Sequence, residues 1–546
     1  MRTVELRGGS WFDGHRYRGQ GSVLLCGNRV VGAGPDVVGE GDSVVDVSGA
    51  LVAPGFVDAH VHAVQGGLER TRCDLSAGNS REDYLATVAA YAADEDRPWI
   101  LGGGWAMPAF PGGTPTAGDL DQVVPDRPVF LPNRDHHGAW VNSRALELAG
   151  IDRHTPDPVD GRIERDADGD PAGTLHEGAM RLVARHVPPT TEEEYYVGLL
   201  AGQAHLLSLG VTGWQDAIVG DYAGMDDAGP TYRRAAERGD LVASVVGALW
   251  WERERGLEQL PDLVDRRQQY GHGRFQATSV KIMQDGVPEN FTAAMSSPYL
   301  DRCGHATSTS GLSFVDPELL RAAVPALSEA GFQVHVHAIG DRGVRETLDA
   351  FAMVPETLRR ELRHHVAHVQ VVHPDDVGRF ARLGVAANCQ ALWACLDDQM
   401  VELNLPFLGE ERGTWQYPFG DLHRSGARLV MGSDWPVTSP DPLAAIHTAV
   451  TRTSFGDPGR AGLEPFLPEQ AVPLEAAFAA YTSGSAWVNH RDDAGVLRPG
   501  AVADLVVLDR DPFTGPLDEV GGARVRSTWL DGVPVHGADT LNEIRP

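Results

Sequence analysis

The chain has 546 residues, a formal net charge of −30, 42% apolar residues and 63 glycines. That length supplies a large core with accessory pieces rather than one small domain. The acidic balance is spread along the chain and excludes nucleic acid and anionic membrane surfaces as partners, and no apolar run reaches the roughly 18 residues of a membrane span.

In chain order, the first 50 residues read as short strands with glycine turns, for example 21–25 and 29–32. The opening segment carries no apolar run of the signal-peptide kind. Five cysteines, Cys26, Cys73, Cys303, Cys389 and Cys395, form no C-x-x-C pair, which points to a reducing cytoplasm. His60-Val61-His62 follows Pro54-Gly55-Phe56-Val57-Asp58. Strand alternation places both imidazoles on one inward face with Val61 behind them.

Eight strands are predicted near 56–62, 211–216, 241–249, 279–284, 332–338, 364–370, 384–389 and 428–434, with helices such as 317–330 and 341–352 between them. Eight βα units make a TIM barrel, a single α/β fold. About 150 residues separate the first two strands, too many for a loop. Residues 72–194 are therefore an inserted subdomain that covers the barrel mouth. The last 50 residues read as strands again, at 503–509 and 525–532, so the two ends can form one small sheet, because termini often lie close together.

Of 46 basic residues one is lysine, Lys281. It lies in Ser279-Val280-Lys281-Ile282-Met283, a buried-strand pattern in which a solvated lysine is out of place. Lysine can lose its proton when buried and arginine cannot. A neutral amine can add carbon dioxide to give a carbamate. Polar residues recur at the other strand ends, where barrel active sites lie: His337 in the fifth, His368 in the sixth and Asp434 in the eighth. His335 shares a face with His337 and is the alternative ligand; His337 is preferred because Ala338-Ile339-Gly340-Asp341 follows it. Imidazoles, a carboxylate and a carbamate suit borderline divalent ions, zinc first. One ion would take His60, His62 and Asp434, a second would take His337 and His368, and a carboxylated Lys281 would bridge them. Such an ion lowers the pKa of water to about 7, and Asp434 would carry the proton from water to the leaving nitrogen.

These residues resemble the amidohydrolase superfamily, and within it the third family branch that contains N-substituted formamide deformylase. The resemblance covers nearly the whole chain. It rests on the H-x-H turn, Lys281-Ile282-Met283-x-Asp285-Gly286, His337-Ala338-Ile339-Gly340-Asp341-Arg342, His368-Val369-Gln370 and Gly432-Ser433-Asp434-Trp435-Pro436. Gly102-x-Gly104-Trp105, Asp135-x-His137-x-x-Trp140-Val141-Asn142-Ser143 and the closing Leu497-Arg498-Pro499-Gly500 also fit. The resemblance implies a metal-bearing barrel, a composite β-sandwich from both termini, hydrolysis of amide-type C–N bonds in a small molecule, and a homodimer. The corresponding units are 1–53 with 491–546, 54–71 with 195–490, and 72–194. His137, Trp105, Asp285 and Trp393 are the candidates to face substrate; plain core packing is the competing reading for the tryptophans, a buried hydrogen-bonded imidazole that for His137, and the orienting of a ligand that for Asp285. Ring deamination, cyclic-amide opening and D-acyl-amino-acid cleavage are the rival reactions on this scaffold. A non-catalytic regulator is opposed by the complete ligand set.

Overall fold

The computed structural model describes residues 2–37, 41–222, 225–456 and 464–540, with the backbone of 543–544. Near the N-terminus lie β1 (Thr3–Phe12), β2 (Tyr17–Cys26), β3 (Arg29–Gly34), β4 (Ser43–Asp46) and β5 (Leu51–Pro54). One residue, Gly55, separates β5 from β6 (Phe56–Val61). The intervening region 73–177 contributes β7 (Cys73–Asp74), β8 (Ile100–Gly103), β9 (Val129–Pro132), β10 (Gly138–Val141), β11 (Gly161–Arg165) and β12 (Pro171–Glu177). These six form a sheet of their own in the order β11-β12-β10-β9-β8-β7.

The central sheet continues β6 with β13 (Val211–Val219), β14 (Ser244–Trp250), β15 (Phe275–Met283), β16 (Gln333–Ala338), β17 (His365–His368), β18 (Ala386–Cys389) and β19 (Leu429–Met431). All eight run parallel in chain order. Every residue of β6, β16, β17, β18 and β19 is buried, as a parallel sheet clad by helices requires. The barrel is nearly closed. Where its ends meet, Asp434 N–H donates to the His60 carbonyl at 2.7 Å and His62 N–H donates to the Trp435 carbonyl at 2.8 Å. The eight expected strands are thus all present. The last one stops at Met431, three residues earlier than the pattern suggested, because the backbone turns to place Asp434.

Helices follow the strands as their caps dictate. In Pro317–Glu329 the Asp316 carboxylate accepts from the Glu318 and Leu319 N–H groups, with Pro317 at the first helical position. Helix α1 (Ala63–Arg70) starts immediately after His62 and packs on the helix Glu192–Ser208. Their approach depends on glycine: a Cβ on Gly67 would lie 1.8 Å from the Gly198 carbonyl oxygen.

The third sheet joins both ends of the chain, adding β20 (Leu505–Leu508), β21 (Val525–Leu530) and β22 (Val533–His536) in the order β22-β21-β20-β5-β1-β2-β3. Strand β20 pairs antiparallel with β5, Val506 opposite Ala53 and Val507 opposite Val52. No helix among the described residues is long and apolar enough to cross a membrane.

Candidate active site

Asp434 is the meeting point. Its Oδ1 lies 3.1 Å from His60 Nε2 and 3.0 Å from His62 Nε2, and its Oδ2 lies 3.8 Å from His368 Nδ1. Ligand atoms of His60, His368 and Asp434 all fall within 4.8 Å of one another. The backbone is contorted to achieve this: φ is +60° at Asp434 and +77° at His368, a region side chains other than glycine seldom occupy and one that recurs at functional sites. Gly432 permits the approach of the last strand to the first, since a Cβ there would lie 2.5 Å from the His60 nitrogen. Buried Asp58 pins the same junction by accepting from the His60 N–H at 3.0 Å and the Ser433 N–H at 3.0 Å.

Each imidazole is aimed by a neighbour. His60 Nδ1 is hydrogen-bonded to His335 Nε2 at 2.9 Å, which leaves His60 Nε2 for Asp434. His335 therefore lies behind His60, one layer below the mouth, and His337 is the fifth-strand residue that lines the cavity. Below them, His365 Nε2 meets Gln215 Oε1 at 3.0 Å, and Gln215 donates to Gln333 Oε1 at 2.8 Å, so the barrel floor is polar and largely hydrogen-bonded, with His335 Nδ1 left without a partner. The Gln390 carboxamide accepts the His368 N–H at 2.7 Å. The His368 ring lies 4.8 Å from the His60 ring and 4.4 Å from the His337 ring, so it stands between the two expected ligand sets.

Lys281 is 3% exposed and lines the same cavity as His60, His62, His337, His368 and Asp434. Burial lowers its ammonium pKa to about 7 despite the Asp434 charge. Burial and then the Lys281 charge bring His60 down to about 3, and burial likewise holds His337 and His368 well below the ordinary histidine range. Burial alone would raise Asp434, but the surrounding imidazoles, His60 first, hold it well below the usual carboxylate range. The result is three neutral imidazoles, those of His60, His337 and His368, around one ionised carboxylate. Nδ1 of His368 is buried without a hydrogen-bond partner. A buried ring nitrogen without a partner, facing a carboxylate, costs free energy that a cation between them would remove, so the donor set fits a divalent ion.

The insertion supplies the other wall. Asp135, His136 and His137 line the cavity from the turn before β10. His137 Nδ1 is paired with Glu177 Oε1 at 2.9 Å. Burial alone would lower the His137 pKa; Glu177 outweighs it and raises the imidazole to about 9. Trp393 stacks on His368 with centroids 5.6 Å apart and planes 16° apart. An outer cavity of ≈ 390 Å³, lined by His136, Glu177, Arg181, Tyr222, Trp250 and Arg253 among others, adjoins this inner one across His136, Tyr222 and Trp250.

Two expected substrate contacts lie elsewhere. Trp105 is fully buried in the insertion, packed on Phe110 and Trp140, with its indole N–H donating to the Leu131 carbonyl at 2.7 Å. It is core, packed inside the insertion's own apolar cluster with Tyr84, Leu120 and Leu131. Asp285 is also fully buried; its oxygens accept from the N–H groups of Ala294, Ile339 and Gly340 at 2.8–2.9 Å. It orients the strand end that carries His337, 3.7 Å from His337 Nε2, and does not line the cavity. Sequence reasoning passed over Asp58, Gln390, Glu177, Tyr222 and Trp250. Asp58 was findable as the acid of the P-G-F-V-D turn. Glu177, 40 positions from its partner, had no local signal.

The model of the amidohydrolase family matches residues 43–536. The putative amidohydrolase YtcJ of Bacillus subtilis (strain 168) is 31% identical over 499 residues, 90% of each chain. The N-substituted formamide deformylase of Arthrobacter pascens is 27% identical over 539 residues, 94% of each chain. Among solved structures, an uncharacterized metal-dependent hydrolase from Pyrococcus furiosus superposes with a TM-score of 0.69 at 27% identity, covering 94% of this chain and 100% of its own.

Proposed function

The chain belongs to the amidohydrolase family, and from that premise we propose that it is a metal-dependent hydrolase cleaving the C–N bond of an N-substituted formamide or a closely related amide. The observation that carries this reading is the convergence of buried His60, His368 and Asp434 with partly buried His62 at the barrel mouth, with His337 and Lys281 around the same cavity. The likeness to the Pyrococcus furiosus hydrolase supports the metal, and the likeness to the Arthrobacter pascens deformylase supports the substrate kind.

Zinc suits these neutral nitrogens and this carboxylate. His60, His62, His368 and Asp434 would hold one ion; His337 and a carboxylated Lys281 would complete a second position. When bound, such an ion polarises a carbonyl and acidifies water. Asp434, held ionised, accepts the proton that water gives up and passes it to the departing nitrogen. The His137 imidazolium, fixed by Glu177, faces the cavity as a donor to the substrate carbonyl oxygen, where negative charge develops. Trp393 and the insertion wall exclude water. In this reading 1–53 with 491–546, 54–71 with 195–490, and the covering 72–194 are the three units. Five cysteines with no disulfide among them support a reducing compartment, and a homodimer is the assembly that the family resemblance implies.

The test is formate release from N-alkylformamides by protein of measured zinc content, beside N-acetyl amines, cyclic amides and carbamates. Turnover of formamides is expected. Turnover of a cyclic amide or an N-acetyl amine, with formamides inert, overturns the substrate assignment.

A further inference from the structure

A third cavity of ≈ 80 Å³ adjoins the metal-site cavity. The two share Gln65, His136 and Tyr222. Its construction follows from local periodicity. Gln65, Leu68 and Glu69 lie on one face of α1, at i, i+3 and i+4. Phe130 and Pro132 lie on one face of β9. Met180 and Ala184, four apart, and Val187 close the far side. The helix that begins at the metal ligand His62 is thus one wall, and the insertion is the other.

The polar groups of this pocket gather on the shared side and satisfy one another. Gln65 Nε2 meets His136 Nδ1 at 2.8 Å, and Glu69 Oε1 lies 3.3 Å from His136 Nε2 and 3.4 Å from Gln65 Nε2. At the outer rim Arg72 donates to the Thr190 hydroxyl at 2.9 Å. What remains between is apolar: Leu68, Leu101, Phe130, Met180, Ala184 and Val187. The volume is below the roughly 150 Å³ that accepts a benzene ring, so the space suits a chain of a few carbons. Methionines at the wall, Met180 and Met225, can adjust to chain shape.

We infer that this pocket is the subsite for the nitrogen substituent of the substrate, and that the substituent is a short unbranched alkyl chain. The inference rests on the formamide reading in one respect: a formyl group carries no chain on its carbon, so any apolar bulk must sit on nitrogen. Direction matters too. A chain leaving the metal-site cavity between His136 and Tyr222 enters an apolar space here, whereas the outer cavity is lined by Glu177, Arg181, Asp221 and Arg253.

The experiment measures binding and turnover side by side. N-methylformamide and N-butylformamide are titrated calorimetrically into the full-length, zinc-loaded protein, and kcat/KM is determined for both. Burial of each added methylene strengthens binding roughly fourfold, so the butyl compound, with three more methylenes, is expected to bind about 60-fold tighter. Ala184→Phe fills the pocket and is expected to collapse the butyl-to-methyl ratio in both measurements. Leu101→Trp fills it from the opposite wall and serves if the first variant does not fold. Equal binding of the two compounds by the parent protein overturns the inference, as does an unchanged ratio in either folded variant. If butyl binds more tightly but neither formamide is hydrolysed, the proposed reaction falls and the subsite stands. If both are hydrolysed with equal kcat/KM and equal affinity, the reaction stands and the subsite falls.

Discussion

The carboxylate of Asp434 stands between imidazoles carried by the first and sixth barrel strands, and its ionised state is set by them. Asp434→Asn retains an oxygen in place but cannot accept a proton. Turnover is expected to fall by about 10²–10⁴-fold, with zinc content measured by mass spectrometry as the control; survival of turnover at unchanged zinc would remove the proton-shuttle role. Lys281 makes the complementary case. An amine held near pKa 7 by burial is ready to react with carbon dioxide, which a guanidinium is not. Lys281→Ala is expected to lose bound metal and rate together, and a short-chain carboxylic acid added in solution is expected to restore part of both. A rate and metal content equal to the parent would remove Lys281 from the site. Trp105 shows the opposite lesson: a motif tryptophan beside glycines can belong wholly to packing.

At the scale of elements, the site is made by strand ends and not by strands. Backbone N–H and carbonyl groups between 60–62 and 434–435 complete the ring that the shorter β19 leaves open. The insertion is held by pairs of its own. Glu164 on β11 accepts from His176 on β12 at 3.1 Å, and this hydrogen bond, with the charge of Arg162, keeps the carboxyl at about 2 against the cost of partial burial. The folded pKa is depressed, so the stabilisation is full above the unfolded value near 4.3 and fades as pH falls toward 2. Glu164→Gln is therefore expected to lower the unfolding midpoint at pH 6 and to differ less from the parent at each step below pH 4. A difference that is independent of pH between 6 and 3 would contradict the linkage. Helices outside the insertion were legible beforehand: the stretches expected at 317–330 and 341–352 stand at Pro317–Glu329 and Asp341–Ala352.

At the scale of the molecule, the two ends of the chain meet in one sheet, and β5 runs through Gly55 directly into the strand that carries His60. A chain ending at Ala503 lacks β20 and leaves the edge of β5 bare beside buried apolar residues such as Leu51 and Val52. It is expected to aggregate, read by size-exclusion chromatography; a soluble, metal-binding product would show that the terminal sheet is dispensable. The sequence by itself determined the strands, the helix starts, the eightfold βα alternation and the residue types that gather at the barrel mouth, because these are local patterns of polarity and backbone preference. It also singled out Lys281, since one lysine among arginines stands out without any coordinates. Only the tertiary structure decided that His335 supports His60 while His337 lines the cavity, that Asp285 is consumed by three backbone N–H groups, and that Glu177 holds His137. Those outcomes depend on distances between residues tens to hundreds of positions apart, and such distances are set by barrel closure and by the docking of the insertion, which no local pattern encodes.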